Sequence, residues 1–252
     1  ILGATEGVGK AFAEKIASEG MSVVLVGRRE EKLQELGKSI SETYGVDHMV
    51  IRADFAQSDC TDKIFEATKD LDMGFMSYVA CFHTFGKLQD TPWEKHEQMI
   101  NVNVMTFLKC FYHYMGIFAK QDRGAVINVS SLTAISSSPY NAQYGAGKSY
   151  IKKLTEAVAA ECESTNVDVE VITLGTTITP SLLSNLPGGP AGEAVMKTAM
   201  TPEACVEEAF DNLGKSLSVI AGDHNKANVH NWQANKTDDE YIRYMGSFYS
   251  NN

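Results

Sequence analysis

Short apolar runs alternate with amphipathic segments of helical length along nearly the whole of this 252-residue sequence. Strands that alternate with helices of about ten to fifteen residues predict βαβ units, right-handed crossovers and a parallel sheet. The predicted strands are residues 1–2, 21–27, 49–52, 74–81, 124–129, 167–173 and 217–221. We therefore expect an α/β fold, a doubly wound parallel sheet of about seven strands with helices on both faces, and a single domain over residues 1–252.

The segments between the strands carry helical periodicity, and the two longest predicted helices lie within residues 91–120 and 142–163. Thr91 is the expected N-terminal cap of the first. Residues 175–198 differ, because their prolines and glycines give the densest turn chemistry of the chain. A long loop in a domain of this size is usually functional, so 175–198 is predicted to be a substrate lid. From Gly222 onward the sequence is polar with scattered aromatic residues, and no element is predicted there.

The charge balance limits the class of ligand. The chain has a formal net charge of −10, with 22 Lys and Arg against 32 Asp and Glu. A protein whose main task is to bind nucleic acid or an anionic membrane needs clustered basic residues, so neither is expected as a partner. No apolar run approaches the length of a membrane span. A small, uncharged or apolar substrate fits better.

Five cysteines are scattered without a Cys-x-x-Cys pair or a companion histidine at metal-ligand spacing. They are expected to be reduced thiols of a cytoplasmic protein, and no metal site is predicted. The sequence opens at Ile1, directly on what reads as the end of a strand. We therefore expect a truncated first strand and a further N-terminal piece before Ile1.

Glycines follow the first predicted strand in the stretch GATEGVG. At a strand-to-helix junction such glycines let the backbone turn sharply and let a pyrophosphate reach N–H groups at the positive end of a helix. The alternative is a glycine-rich turn that binds nothing, but the position at the first junction of a doubly wound sheet favours a nucleotide. The residues expected to contact it are Gly3, Thr5, Glu6, Gly7, Val8 and Gly9.

The end of the second strand predicts which dinucleotide binds. Arg28 and Arg29 stand where an acidic residue would hold a ribose 2′-hydroxyl, and the first acid is Glu30. Guanidinium groups match phosphate geometry, which favours NADP(H), with NAD(H) still possible. The alternative is that Arg28 only stacks on the adenine or covers the sheet. After the third strand, Asp54 and its neighbour Phe55 are expected near the adenine, although Asp54 could equally cap the next helix.

A tyrosine and a lysine lie four residues apart at Tyr144 and Lys148, about a dozen positions after Ser130 and Ser131. On a helix, positions i and i+4 share one face, so a phenol and an ammonium would point into one site. So short a motif also arises by chance. Its weight comes from the rest of the sequence.

Taken together, these residues resemble the short-chain dehydrogenase/reductase family. GATEGVG matches its glycine-rich turn, Ser131 lies thirteen positions before Tyr144, and YGAGK matches its Tyr-x-x-x-Lys motif. Asn103 falls at the position of the fourth catalytic residue of the family. The resemblance runs through essentially the whole chain, and it implies a Rossmann-type NAD(P)-binding domain with strand order 3-2-1-4-5-6-7.

The resemblance implies a role for each of four catalytic residues. Ser131 would polarise a substrate carbonyl, and Tyr144 would donate its phenolic proton to that oxygen while hydride reaches the carbon. Lys148 would lower the pKa of the phenol from its usual value near 10 and hold the nicotinamide ribose. Asn103 would bind a water that links Lys148 to solvent. Of the two serines, Ser130 is expected to point to the other side of the strand and to be structural.

Three departures from the family pattern stand out. The stretch from Tyr78 to Cys81 replaces an Asn-Asn-Ala-Gly motif, Leu174 replaces a proline, and Leu2 replaces a threonine. They put in doubt how the nicotinamide side of the site is braced. By resemblance, further cofactor contacts are expected at Ala80, Gly175, Thr177 and Thr179, besides Tyr144 and Lys148.

The residues expected around the substrate are mainly apolar, and Phe82, Leu132, Tyr140 and Leu183 are the main candidates. His83 is interpreted as a pocket wall. The strand-four stretch and the long lid look similar to those of hydroxysteroid dehydrogenases and ketoacyl reductases. The leading hypothesis is therefore an NADP(H)-dependent enzyme that interconverts a steroid-like ketone and a secondary alcohol. A ketoacyl or other carbonyl reductase, or a catalytically silent nucleotide-binding regulator, is the alternative.

Family resemblance also implies a homodimer or homotetramer. The two long helices near residues 92–120 and 142–163 are the expected contact surfaces. The sequence does not choose between the two assemblies.

Overall fold

The computed structural model describes residues 1–184, 186 and 188–249, and its sheet is parallel throughout these residues. Hydrogen-bonded neighbours are β1 with β2, and β3, β4, β5 and β6 in that order. The strands are β1 Val23–Gly27, β2 His48–Arg52, β3 Phe75–Tyr78, β4 Gly124–Ser131, β5 Val167–Leu174 and β6 Ser218–Ile220.

Leu2 joins the two groups of strands. It forms parallel bridges to Val26 of β1 and to Tyr78 of β3, and its carbonyl accepts hydrogen bonds from the Val79 and Ala80 N–H groups at 2.9 and 2.8 Å. The neighbour order is therefore β2-β1-Leu2-β3-β4-β5-β6. The predicted parallel, doubly wound class is confirmed, but the described residues form six strands and a single-residue bridge in place of the predicted first strand.

Helices cover both faces of this sheet. In the described part of the chain, no helix is long and apolar enough to cross a membrane. The helices are α1 Gly7–Ser18, α2 Glu30–Tyr44, α3 Cys60–Thr68, α4 Trp93–Ile100, α5 Phe107–Gln121, α6 Ala142–Glu161, α7 Pro180–Ser184, α8 Gly189–Thr198, α9 Pro202–Asn212, α10 Asp223–Asn235 and α11 Asp238–Tyr249.

The apolar core lies on both sides of the central strands. Val126 of β4 packs in the cluster that contains Phe107 and Phe111 of α5, whereas the next residue, Ile127, packs in the cluster that contains Phe12 of α1. Side chains of successive strand residues point to opposite faces, so each residue of β4 is covered by a helix on its own side. Because helices cover both faces of the sheet, the central strands are buried on both sides, which explains why they are nearly continuous apolar runs in the sequence.

The predicted long helix at 91–120 is one continuous path of three segments. A π-helical stretch, Asn101–Thr106, separates α4 from α5. A π turn accommodates an extra residue without breaking the helix, so the apolar periodicity of the sequence does not reveal it. The prediction that Thr91 caps α4 is wrong, because the N-cap position is Pro92. The Thr91 hydroxyl instead donates to the Lys87 carbonyl at 3.2 Å.

The predicted lid and tail are more regular than the sequence indicated. Residues 175–198 contain α7 and α8, because Pro180 and Pro190 stand in the first turns of these helices, where proline is favoured. Asn185 and Pro187 of this segment lie outside the described residues. The tail after Gly222 forms α10 and α11, where no element was predicted.

Glu170 is a buried carboxyl in the middle of β5. It is fully buried, and neither of its carboxyl oxygens has a hydrogen-bond partner among the described residues. Burial, and secondly the charge of Glu208, raise the pKa of Glu170 from 4.5 to about 8. The group is therefore a neutral acid in the folded protein at pH 7.

This burial predicts a pH-dependent stability. Unfolded Glu170 ionises near pH 4.5 and folded Glu170 near pH 8, so its contribution to the free energy of unfolding falls as pH rises through this window, by up to about 1.4 kcal/mol per pH unit. Glu170→Gln should therefore gain stability relative to wild type between pH 5 and pH 8, measured by urea unfolding. Asp168→Asn, at an exposed position of β5, is the control. Equal changes in the two variants would contradict the assignment.

Candidate active site

Strand β4 and helix α6 bring Ser131, Tyr144 and Lys148 together. Ser131 is the last residue of β4, and Tyr144 and Lys148 lie one turn apart near the start of α6. The Ser131 side chain is hydrogen-bonded to the Tyr144 phenol, and its oxygen also accepts a hydrogen bond from the Thr133 N–H at 3.3 Å. The hydroxyl next to the phenol is thus that of Ser131.

Ser130 has a different place. Its side chain is buried and donates to the carbonyl of Lys148 at 2.9 Å. This hydrogen bond ties the end of β4 to the backbone of α6, so Ser130 holds the helix in position.

Lys148 is almost completely buried, with 2% of its surface exposed. Its Nζ donates to the Val129 carbonyl at 2.8 Å and lies 5.8 Å from the centre of the Tyr144 ring. Burial lowers its pKa, and the charge of Cys81 opposes the shift. The ammonium therefore faces the phenol ring, held by one backbone carbonyl.

The pKa of Tyr144 is raised, which differs from the lowering that sequence reasoning expects. Burial is the largest cause, the Cys81 charge adds to it, and the hydrogen bond with Ser131 opposes it. The Lys148 ammonium faces the ring and donates to a carbonyl, and burial remains the larger effect on the phenol. The phenol is consequently held in its protonated, acidic form.

Asn103, which is predicted to bind a relay water, has its side-chain amide hydrogen-bonded within the protein. It is 1% exposed and lies in the π-helical stretch; its Oδ1 accepts from the Phe82 N–H at 2.9 Å and its Nδ2 donates to the Phe82 carbonyl at 2.7 Å. Both the oxygen and the nitrogen of the amide are thus hydrogen-bonded to the backbone of Phe82. A Cβ placed at Gly147 of α6 would lie 3.1 Å from the Asn103 Cβ, so the amide also fixes how closely α6 approaches.

Residues 78–81, which stand in place of the Asn-Asn-Ala-Gly motif of the family, make stabilising contacts of their own. Tyr78 is fully buried, and its hydroxyl donates to the Val102 carbonyl at 2.6 Å. Val102 directly precedes Asn103, so the phenol links β3 to the π-helical stretch. With the Leu2 carbonyl bonded to Val79 and Ala80, this side of the site is braced without the missing asparagines.

The glycine-rich turn fits a pyrophosphate. Gly3 and Gly7 have positive φ values of 101° and 56°, and a Cβ at Gly9 would lie 1.9 Å from the Gly3 carbonyl oxygen. Helix α1 starts here without a side-chain cap at Glu6 and without an acid in its first turn. Its first N–H groups therefore remain available for an anion.

The comparison with known families agrees with this geometry. The model of the family described as short chain dehydrogenase matches residues 1–186. The chain belongs to the short-chain dehydrogenase family. It therefore binds a nicotinamide cofactor.

Relatives of this dehydrogenase match almost its whole length. It is 75% identical to 7β-hydroxysteroid dehydrogenases of Mediterraneibacter gnavus and Collinsella aerofaciens, over 99% of this chain and 95% of each relative. A solved structure from a study of 7β-hydroxysteroid dehydrogenase stereoselectivity superposes with a TM-score of 0.95, at 75% identity, over 97% of this chain and 95% of that one.

Two of the basic side chains at the end of β1 and the start of α2 lie close to the Glu6 carboxylate. Arg29 forms an ion pair with Glu6 at 2.6 Å, and Lys32 lies 4.0 Å from the same carboxylate. Arg28 is exposed beside them. Sequence reasoning did not include Lys32, although its position four residues after Arg28, in the first turn of α2, was a usable signal.

Several residues that were predicted to contact the cofactor make contacts within the protein. Asp54 accepts a hydrogen bond from the Ala56 N–H at 3.1 Å in the turn after β2; it does not cap the next helix, because the N-cap of α3 is Asp59. Phe55 is 5% exposed and packs edge-on against Tyr78. Val8 is also buried in the core, and the Thr5 hydroxyl lies 2.6 Å from the point where a Cβ at Gly27 would stand.

The segment after β5 closes over the glycine-rich turn. The Thr177 hydroxyl donates to the Gly175 carbonyl at 3.2 Å, and the Thr179 methyl lies 2.9 Å from the point where a Cβ at Gly7 would stand. A Cβ at Gly175 would lie 2.5 Å from the Asn225 side chain. Asn225 belongs to α10 and was not found from the sequence, because no element was predicted there.

The predicted substrate residues lie in three segments of the chain. Leu132 directly follows Ser131 in a short 3-10 turn, and Phe82 lies in the loop fixed by Asn103. Tyr140 has a left-handed backbone, φ 64°, and its carbonyl accepts from the Gly86 N–H at 2.8 Å. Leu183, on α7, is 52% exposed. Among the described residues, no group of three or more His, Cys, Asp or Glu could hold a metal ion.

The bracing role of Tyr78 is testable. Tyr78→Phe leaves the buried Val102 carbonyl without its donor, which should cost about 1–2 kcal/mol of unfolding free energy and lower kcat, because the π-helical stretch carries Asn103. Tyr114→Phe is the matched control: it removes a buried hydrogen bond to Thr68 of 3.1 Å. The control should lose similar stability at unchanged kcat. A Tyr78→Phe enzyme with wild-type stability and kcat would exclude the role.

Proposed function

We propose that this chain is an NADP(H)-dependent 7β-hydroxysteroid dehydrogenase, which interconverts a 7-oxo steroid and its 7β-hydroxyl counterpart. The observation that carries the proposal is the convergence of Ser131, Tyr144 and Lys148 next to an uncapped, glycine-rich helix start. The relatives that are 75% identical over 99% of the chain bear this name. They confirm the predicted reaction class, at a CH–OH carbon, and the predicted steroid-like substrate.

Tyr144 is the proton donor in ketone reduction. The nicotinamide, when bound, supplies the hydride. Because burial keeps the Tyr144 phenol protonated, it can give its proton to the developing alkoxide, while the Ser131 hydroxyl orients the carbonyl oxygen. The Lys148 ammonium, which faces the ring, stabilises the phenolate that remains. In the oxidative direction the same groups return the proton.

The cofactor preference is proposed from the charges beside the turn. Arg28, Arg29 and Lys32 place three cations near the position of a 2′-phosphate, and Glu6 holds Arg29 in place. A phosphate would add charge-assisted hydrogen bonds to this cluster, whereas a plain ribose hydroxyl would not. This difference favours NADP(H) over NAD(H).

We propose a homo-oligomer through the helical face of α4, α5 and α6. This face exposes large apolar side chains: Trp93 is 73%, Ile100 40%, Met105 44%, Tyr112 81% and Tyr150 36% exposed. Large exposed apolar patches of this kind are typical of protein interfaces. The choice between dimer and tetramer is left to a mass measurement.

A cytoplasmic location is also a proposal. It is supported by the cysteines, all five of which are free thiols. Reduced thiols are typical of the cytoplasm.

The acid role of Tyr144 predicts a large loss on substitution. Tyr144→Phe removes the only proton that the ring can donate, so kcat for a 7-oxo steroid should fall by about a hundredfold or more, followed by NADPH absorbance. Tyr150→Phe, on the exposed face of the same helix, should keep wild-type turnover. Equal rates for Tyr144→Phe and wild type would refute the mechanism, and absence of wild-type turnover with every ketone would favour the catalytically silent alternative.

If Arg28 and Arg29 bind the 2′-phosphate, their removal should weaken the binding of NADPH more than that of NADH. Arg28→Ala/Arg29→Ala should weaken NADPH binding by about tenfold or more, with little change for NADH, because only NADPH carries the 2′-phosphate. Fluorescence titration of both cofactors measures the two constants. Lys38→Ala, an exposed substitution further along α2, is the control. A uniform loss for NADPH and NADH would exclude the role.

A further inference from the structure

The loop after β3 carries a cysteine and a histidine to the Tyr144 side of the site. Its backbone is fixed on both sides of Cys81: the Ala80 N–H donates to the Leu2 carbonyl at 2.8 Å, and Phe82 is held at both its N–H and carbonyl by Asn103. Cys81, which is partly exposed to solvent, stands between these anchors. The loop is therefore a rigid support for the side chains that it presents.

His83 contacts Tyr144 directly. The two ring centres are 5.6 Å apart with the planes tilted by 60°, and the other neighbour of the imidazole is Phe85, edge-on at 5.4 Å. The Cys81 side chain is hydrogen-bonded to His83. Three contacts thus fix the imidazole against the phenol ring.

We propose that His83, held by Cys81 and Phe85, is a positioning residue that keeps the Tyr144 phenol directed at the Ser131 hydroxyl and the reacting oxygen. The role rests on the proposed function, since it concerns the proton donor of that reaction. It replaces the interpretation of His83 as a simple pocket wall. Cys81 takes part through the hydrogen bond that orients the imidazole.

The charges around the phenol give this arrangement a second effect. The ionisable groups that face Tyr144 are Cys81 and His83 from the loop and Lys148 from α6. Burial raises the pKa of Cys81, but the His83 hydrogen bond and the Lys148 charge outweigh it, so the net shift is downward. A deprotonated Cys81 raises the pKa of Tyr144. Cys81 and His83 thereby favour the proton on Tyr144, which is the form that ketone reduction needs.

The positioning role is tested by two substitutions at His83. His83→Ala should lower kcat about tenfold to a hundredfold through misplacement of the phenol, with the KM for NADPH unchanged. His83→Phe keeps a ring against Tyr144 and should recover most of that loss. His113→Ala is the control: this histidine stacks on Phe65 at 3.7 Å and should leave kcat unchanged. Wild-type kcat in His83→Ala, or no recovery in His83→Phe, would overturn the proposal.

The charge effect is tested by the pH profile of kcat/KM for reduction. Cys81→Ala removes a negative charge beside the phenol, so Tyr144 should lose its proton at lower pH and the alkaline limb of the profile should move to lower pH. His83→Phe should move it in the same direction. An unchanged limb in Cys81→Ala would exclude the charge coupling.

A final measurement needs no turnover, so it separates this proposal from the proposed function. The rate of Cys81 alkylation by iodoacetamide, followed by peptide mass spectrometry, reports the thiolate fraction. In His83→Phe its midpoint should move to higher pH, because the stabilising hydrogen bond is lost. The buried Cys60, Cys110 and Cys205 serve as slow internal controls. An unchanged midpoint would show that His83 does not hold Cys81, even if the steroid activity is absent.

Discussion

The pair of hydrogen bonds between the Asn103 amide and the Phe82 backbone is the contact on which the site depends. It joins the π-helical stretch to the loop after β3, and the Asn103 Cβ also limits the approach of α6 at Gly147. The loop that carries Cys81 and His83 and the helix that carries Tyr144 and Lys148 are thereby positioned from one residue. Without the amide, the partly buried Phe82 N–H and carbonyl would lose these partners, at a cost of about 1 kcal/mol each.

Burial determines the electrostatics of the site more than any single ion pair. It raises the pKa of Tyr144 and lowers that of Lys148, so both groups are driven toward their neutral forms. The negative charge of Cys81, when its thiol is deprotonated, opposes the shift of Lys148 and adds to that of Tyr144. One side chain in place of the glycine of the family motif therefore acts on both members of the acid–base pair with opposite consequences for their charge.

The sequence predicted the parallel sheet, the glycine-rich turn and the grouping of Ser131, Tyr144 and Lys148, because each depends on local spacing or on the rule that parallel strands end at one edge. It could not show that Tyr78 and Asn103 brace the same stretch, since only tertiary contacts bring residues so distant in sequence together. Helix α10 escaped prediction because it buries few side chains, with Asn225 and Trp232 its buried residues. In the lid, Pro180 and Pro190 were interpreted as breakers although proline also suits a first turn.

The central proposal is that this site directs hydride to the α face of C7 of a 7-oxo steroid and a proton from Tyr144 to its oxygen, which together leave a 7β-hydroxyl. The most direct measurement uses NADPH that carries deuterium at both C4 positions, a 7-oxo steroid and NMR analysis of the product. The account predicts one deuterium at C7 and a 7β-hydroxyl group. Product without deuterium at C7, or a 7α-hydroxyl product, would contradict it.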